Sequence, residues 1–162
     1  MLLEALALKP VATVVSVGCG LDTRPWRLEL PPHLRWIEVD FADILDYKEA
    51  LMSAETPRCR RERIAADLNE PMQRHAIYAA VGPAPALMIT VGLLMYLPAA
   101  TVAALTTEPW RESGIAHWMT DITTTAFAKP SIWTPCGRCA ASRRPIFCQA
   151  NRFWTPFARM AG

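Results

Sequence analysis

Apolar positions fall into short runs separated by polar, proline-bearing or glycine-bearing breaks, and their spacing alternates between strand and helix periods. Leu2, Leu3, Ala5, Leu6 and Leu8 predict the end of a helix that Pro10 closes. Val14-Val15-Ser16-Val17 is β-branched and nearly free of polar positions, which suits a parallel strand covered on both faces. Pro25-Trp26-Arg27-Leu28 begins a helix that Pro31-Pro32 breaks, and residues 34–40 predict a second strand. Residues 41–52 predict an amphipathic helix with Ile44, Leu45, Tyr47 and Leu51 on one side. A short third strand at residues 64–68 leads to a helix at 72–81, and Pro83-Ala84-Pro85 links it to a fourth strand at 86–91, read as the central one. A helix at 98–107, a packing aromatic at Trp110 and a fifth strand at 117–123, with Asp121 toward its end, complete the pattern. Alternating strands and helices predict an α/β class, a doubly wound and mostly parallel sheet of the Rossmann type.

Composition narrows the function classes. At 162 residues and 52% hydrophobic, the chain has the length of one globular domain. Its longest apolar run, residues 86–97, falls short of the roughly 18 residues that span a bilayer, so no membrane partner is expected. The N-terminus lacks a basic region and a cleavage site, which makes the cytoplasm the expected location. The formal charge of +2 conceals two halves: residues 1–128 hold 11 basic and 15 acidic side chains, whereas 129–162 hold six basic and no acidic ones. Arg58, Arg60, Arg61, Glu62 and Arg63 form a basic run too short, and too poor in aromatics, for nucleic acid; it reads as a solvated loop and strand edge. His33, His75 and His117 share no metal-ligand spacing.

The chemistry gathers around Gly18-Cys19-Gly20. Glycines after a buried strand let the backbone turn tightly and approach a ligand, with free N–H groups expected to face outward. A lone Gly-x-Gly is explained as readily by a tight turn. A dinucleotide fingerprint needs a third glycine, and Thr23 stands there within Leu21-Asp22-Thr23-Arg24. Asp40, at the tip of the second strand, can accept both hydroxyls of a ribose or cap the following helix, as Asp43 and Asp46 also could. A glycine turn plus a second-strand acid, without the third glycine, points to S-adenosylmethionine rather than NAD. Glu38 is expected to face a neighbouring helix or solvent, and Arg24 either contacts the cofactor or pairs with Asp22. Asp67 can cap the helix at 72–81, and Tyr96 either lines a substrate pocket or packs.

Taken in order, Gly18-Cys19-Gly20-Leu21-Asp22-Thr23-Arg24, Glu38-Val39-Asp40-Phe41 with Lys48, Asp67-Leu68, and Gly92-Leu93-Leu94-Met95-Tyr96-Leu97 resemble the leucine carboxyl methyltransferase family, particularly its bacterial branch. The resemblance covers residues 1–128 and implies a class I methyltransferase core that moves a methyl group from S-adenosylmethionine to a carboxylate or hydroxyl of a small molecule or peptide. It implies that Gly18 and Gly20 shape the site, that Arg24 can meet the cofactor carboxylate, and that Asp40 holds ribose. It further implies that the Asp67 carboxylate takes the adenine amine and that the Leu68 N–H takes a ring nitrogen. Where the family places a glutamate for the cofactor's amino group, this chain has Val91. The family also carries a helical segment ahead of the first strand, so the chain is expected to begin late or to be a fragment.

Residues 129–162 do not follow that pattern. They lack acids and any sustained apolar period, and Cys136-Gly137-Arg138-Cys139 with Cys148 is poor evidence for zinc. A shifted reading frame is the hypothesis this suggests: with suitable codons, a two-base shift through residues 149–162 gives a string with a helix's apolar period and balanced charge. Sequencing the locus and finding codons that forbid it would sink the idea.

Overall fold

Five strands, all parallel, lie in the order β3-β2-β1-β4-β5. The structure, a computed structural model, describes residues 2–8 and 11–121; the tail with Cys136, Cys139 and Cys148 lies outside them. In chain order the elements are α1 (Leu2–Leu8), β1 (Thr13–Val17), α2 (Arg24–Arg27), β2 (Arg35–Asp40), α3 (Ala42–Leu51), β3 (Arg60–Ala65) and α4 (Pro71–Val81). There follow β4 (Ala86–Thr90), a 3₁₀ turn (Leu94–Tyr96), α5 (Ala99–Leu105), α6 (Glu108–Glu112) and β5 (Ile115–Thr120). No helix among the described residues is long and apolar enough to cross a membrane.

The two faces of the sheet carry separate apolar layers, because alternate residues of each strand point to opposite sides. Val15, Val17, Ile37, Val39 and Met88 pack with Ile77, Tyr78 and Val81 of α4. Val14, Trp36, Leu87 and Ile89 pack on the other side with Leu2 of α1 and with Leu30 and Leu34. All positions of β1 and β4 are buried, as expected of parallel strands covered on both faces. The helix α4 begins on Pro71 and turns Arg74, Ile77, Tyr78 and Val81 inward, the three- and four-residue spacing of one helical face. It stops at Gly82, whose φ of 78° a side chain would resist.

Several expectations need correction. The central strand is β1, not β4; the strand order reverses between them, which is where open α/β sheets place their ligand crevice. The third strand starts at Arg60, so the basic run is itself the sheet edge, and Arg61 is largely enclosed. The buried residues of α3 are Leu45 and Lys48, whereas Tyr47 and Leu51 are exposed. Trp110 sits on the unforeseen helix α6, where it is exposed and its indole N–H donates to the Thr106 carbonyl at 2.8 Å. The fifth strand begins at Ile115.

Candidate functional site

Gly18 and Gly20 both adopt positive φ, 64° and 46°, so the chain reverses direction directly after β1. Gly18, Cys19 and Gly20 do not present free N–H groups. Gly18 and Cys19 donate theirs to the Val39 carbonyl, at 2.9 and 3.1 Å, and Gly20 donates to Asp40 Oδ2 at 2.7 Å. The ends of β1 and β2 are thus laced together, and β2 takes the donors that were expected to face a ligand. The other Asp40 oxygen, Oδ1, accepts from the Phe41 N–H at 2.8 Å. A carboxylate has about four acceptor positions, so two stay available for hydroxyl donors. Asp40 does not cap α3, whose N-cap is Phe41 with no side-chain capping bond. Burial pushes its carboxyl above the ordinary aspartate value, against the pull of the two N–H groups and the Lys48 charge. Burial likewise pushes the Cys19 thiol far up, so it stays protonated.

Past β3, Asp67 donates its N–H to Gln73 Oε1 at 2.7 Å, and Asp67 Oδ1 accepts from the Asn69 N–H at 2.9 Å. It does not cap α4, whose N-cap is Glu70. Leu68 is buried, and its carbonyl accepts from Arg74 Nη1 at 2.8 Å. Arg74 also grips both Glu108 oxygens, at 2.8 and 2.9 Å. This bidentate pair holds the Glu108 carboxyl below its usual value and ties α6 to the turn carrying Asp67 and Leu68. Arg74 was not read as functional, because nothing in the local pattern links residue 74 to residue 108.

At the exit of β4, Val91 is 52% exposed and Gly92 adopts φ of 65°. Leu93 folds back over the glycine turn: a Cβ on Gly18 would lie 2.7 Å from Leu93 Cδ1. Tyr96 ends the 3₁₀ turn half-buried. Arg24 takes the pairing role, with its Nε 2.7 Å from Asp22 Oδ2 and its guanidinium 5.7 Å from the Trp36 ring centroid.

Beneath Asp40 lies a charge cluster that sequence reading missed. Glu38 faces a helix but not solvent: it is fully buried, with Oε1 2.6 Å from Lys48 Nζ of α3 and Oε2 2.8 Å from Arg61 Nη1 of β3. Arg61 also bonds Glu49, and both cations lie over the Trp26 ring, at 5.5 Å for Lys48 and 4.8 Å for Arg61. Four elements meet there, so the end of β2 is fixed from below. Among the described residues no group of His, Cys, Asp or Glu could hold a metal ion.

A doubly wound parallel sheet with a glycine turn after β1 and acids at the ends of β2 and β3 is an open α/β domain of the kind that places its ligand crevice at the carboxyl ends of the strands. Comparison with known proteins sharpens this. A family model described as leucine carboxyl methyltransferase matches residues 1–108, and the chain belongs to that family. A protein of Parafrankia sp., named as an S-adenosyl-L-methionine-dependent methyltransferase, is 40% identical over 114 residues, covering 68% of this chain and 37% of the relative. A protein of Streptomyces avermitilis with the same description is 38% identical over 109 residues, covering 64% and 38%. The chain therefore spans a little over a third of the length of these curated relatives. Solved structures share the fold at low identity. The methyltransferase domain of bacterial CtHen1-CN matches with TM-score 0.57 and 13% identity, over 74% of this chain and 61% of that one. The S-adenosylmethionine-dependent methyltransferase SibL in its apo form matches with TM-score 0.52 and 14% identity, over 94% and 39%. The fold is the Rossmann-like class I methyltransferase fold.

Proposed function

We propose that this chain holds S-adenosylmethionine along the carboxyl ends of β1 to β4 and transfers its methyl group to an oxygen nucleophile, a carboxylate or hydroxyl of a small molecule or peptide. The supporting observation is Asp40, a half-buried strand-end carboxylate fastened to Gly20 with acceptor positions to spare. The residues fit the nucleoside end of the cofactor. Asp40 would accept the ribose hydroxyls, the Asp67 carboxylate and Leu68 N–H would meet adenine, and Gly18 and Gly20 would admit the chain between. Bound S-adenosylmethionine supplies an electrophilic methyl on a sulfonium that departs as a neutral thioether. The work of the protein is alignment and exclusion of water. A carboxylate acceptor is already ionised and needs no base. Tyr96, after β4, would line the acceptor side, and the cytoplasm is part of the same proposal.

A second reading is a non-catalytic binding remnant, favoured by Val91, whose side chain cannot accept a hydrogen bond at the β4 exit. An NAD-dependent oxidoreductase has less support, since Thr23 stands where the third glycine belongs. Calorimetric titration with S-adenosylhomocysteine tests the cofactor site: micromolar binding that Asp40→Ala abolishes supports it, and no binding to folded protein refutes it. Binding without transfer of label from methyl-tritiated S-adenosylmethionine to a panel of carboxylic acids and alcohols supports the remnant.

A further inference from the structure

The crevice has two chemically different halves. Acids gather at the ends of β2 and β3, where Asp40 holds the glycine turn and Asp67 holds its own turn. The segments leaving β1 and β4, residues 18–24 and 91–97, contain one acid and one base between them, Asp22 and Arg24. These two are spent on each other, with Arg24 Nε 2.7 Å from Asp22 Oδ2. The exposed large side chains in this half are apolar, Leu21 at 54% and Val91 at 52%. Leu93 packs over Gly18, and the register that sets Ser16 opposite Ile89 carries Gly18 toward Val91.

For a ligand that sets its ribose on Asp40 and its base by Asp67, the strand order directs its remaining part toward the segments after β1 and β4, which carry Leu21, Val91 and Leu93. We infer that the crevice recognises the adenosine half of its ligand and offers the rest an apolar surface, so that 5′-methylthioadenosine binds as tightly as S-adenosylhomocysteine. The inference rests on the nucleoside site proposed above. The two probes share adenosine and a thioether sulfur and differ in the charged amino-acid end. An ammonium laid on Val91 leaves water without gaining an acceptor, and a carboxylate near Arg24 competes with Asp22.

Calorimetric titration of the full chain with each thioether decides the matter, with circular dichroism confirming the fold. Dissociation constants within about threefold of each other, both lost in Asp40→Ala, are expected. Val91→Glu should then favour S-adenosylhomocysteine by about tenfold, the effect of one charge-assisted hydrogen bond. An advantage of tenfold or more for S-adenosylhomocysteine in the native chain overturns the inference and leaves the cofactor site standing. Failure of both probes to bind folded protein overturns the inference and the nucleoside site together.

Discussion

Replacing Lys48 by methionine keeps the aliphatic stem and removes one charge from the cluster under Asp40. Lys48 is 1% exposed and Glu38 is fully buried, so water cannot replace the lost partner. Breaking a buried pair from one side costs about 3–5 kcal/mol. Arg61 still holds Glu38 Oε2 at 2.8 Å, which places Lys48→Met near the lower end, about 3 kcal/mol. Domains of this size are stable by about 5–15 kcal/mol, so the variant should fold with a visibly lower urea midpoint. Glu38→Leu leaves two cations facing each other over Trp26 and should cost more. The double variant Glu38→Leu, Lys48→Met should recover part of that loss, since Arg61 keeps Glu49 as a partner. Linear extrapolation of urea curves, with the unfolding slope checked for constancy, measures all three. A loss under about 1 kcal/mol for Lys48→Met would refute the reasoning, because it would mean the pair is hydrated and brings little to the fold.

Gly114→Ala should fail to fold or lose several degrees of melting temperature, because its Cβ would lie 2.1 Å from the Ala84 carbonyl oxygen; a thermal scan checks this. Gly18→Ala combines positive φ, roughly 1–2 kcal/mol, with displacement of Leu93. It should weaken S-adenosylhomocysteine binding in calorimetry more than Gly82→Ala, which meets open space at similar φ. Burial raises the Asp40 carboxyl in the folded chain, so on acidification the folded state takes up that proton before the unfolded state does. The contribution of Asp40 to stability therefore improves as pH falls from its folded value toward about 3.9, while its capacity to accept ribose hydroxyls disappears. Thioether affinity should consequently fall with a midpoint above the ordinary aspartate range, and an unchanged affinity down to about pH 4 would contradict this.

The strands that proved legible were those whose surroundings are simple. The runs of β1 and β4 are apolar because both faces are covered, and one pattern permits one reading. Asp40 stood out because it ends the second strand, and Asp67 because it follows the short apolar stretch at residues 64–66. The start of β3 did not, since Arg60, Arg61, Glu62 and Arg63 look like a solvated loop until their partners are known. Those partners are Glu38 for Arg61 and Arg35 for Glu62, both on the neighbouring strand. The inner face of α3 was misread for the same reason. Lys48 turns inward only because Glu38 awaits it, while Tyr47 and Leu51, the apolar choices, face out. The pairing of Arg74 with Glu108 spans two helices and left no trace in local spacing. Tertiary charge pairing, rather than weak propensity, set the limit.

The order β3-β2-β1-β4-β5 also fixes a timetable for synthesis. The ribosome delivers the central strand first, and β2 and β3 can pair on one side of it as soon as they emerge. The other side of Thr13–Val17 waits for Ala86–Thr90, roughly 70 residues later, or about 4–14 s at ordinary elongation rates. Throughout that interval a valine-rich strand shows a bare edge, while the arginines of β3 already guard the opposite border. The nascent half-sheet therefore carries an unpaired edge along β1, open to misassociation, until β4 is made.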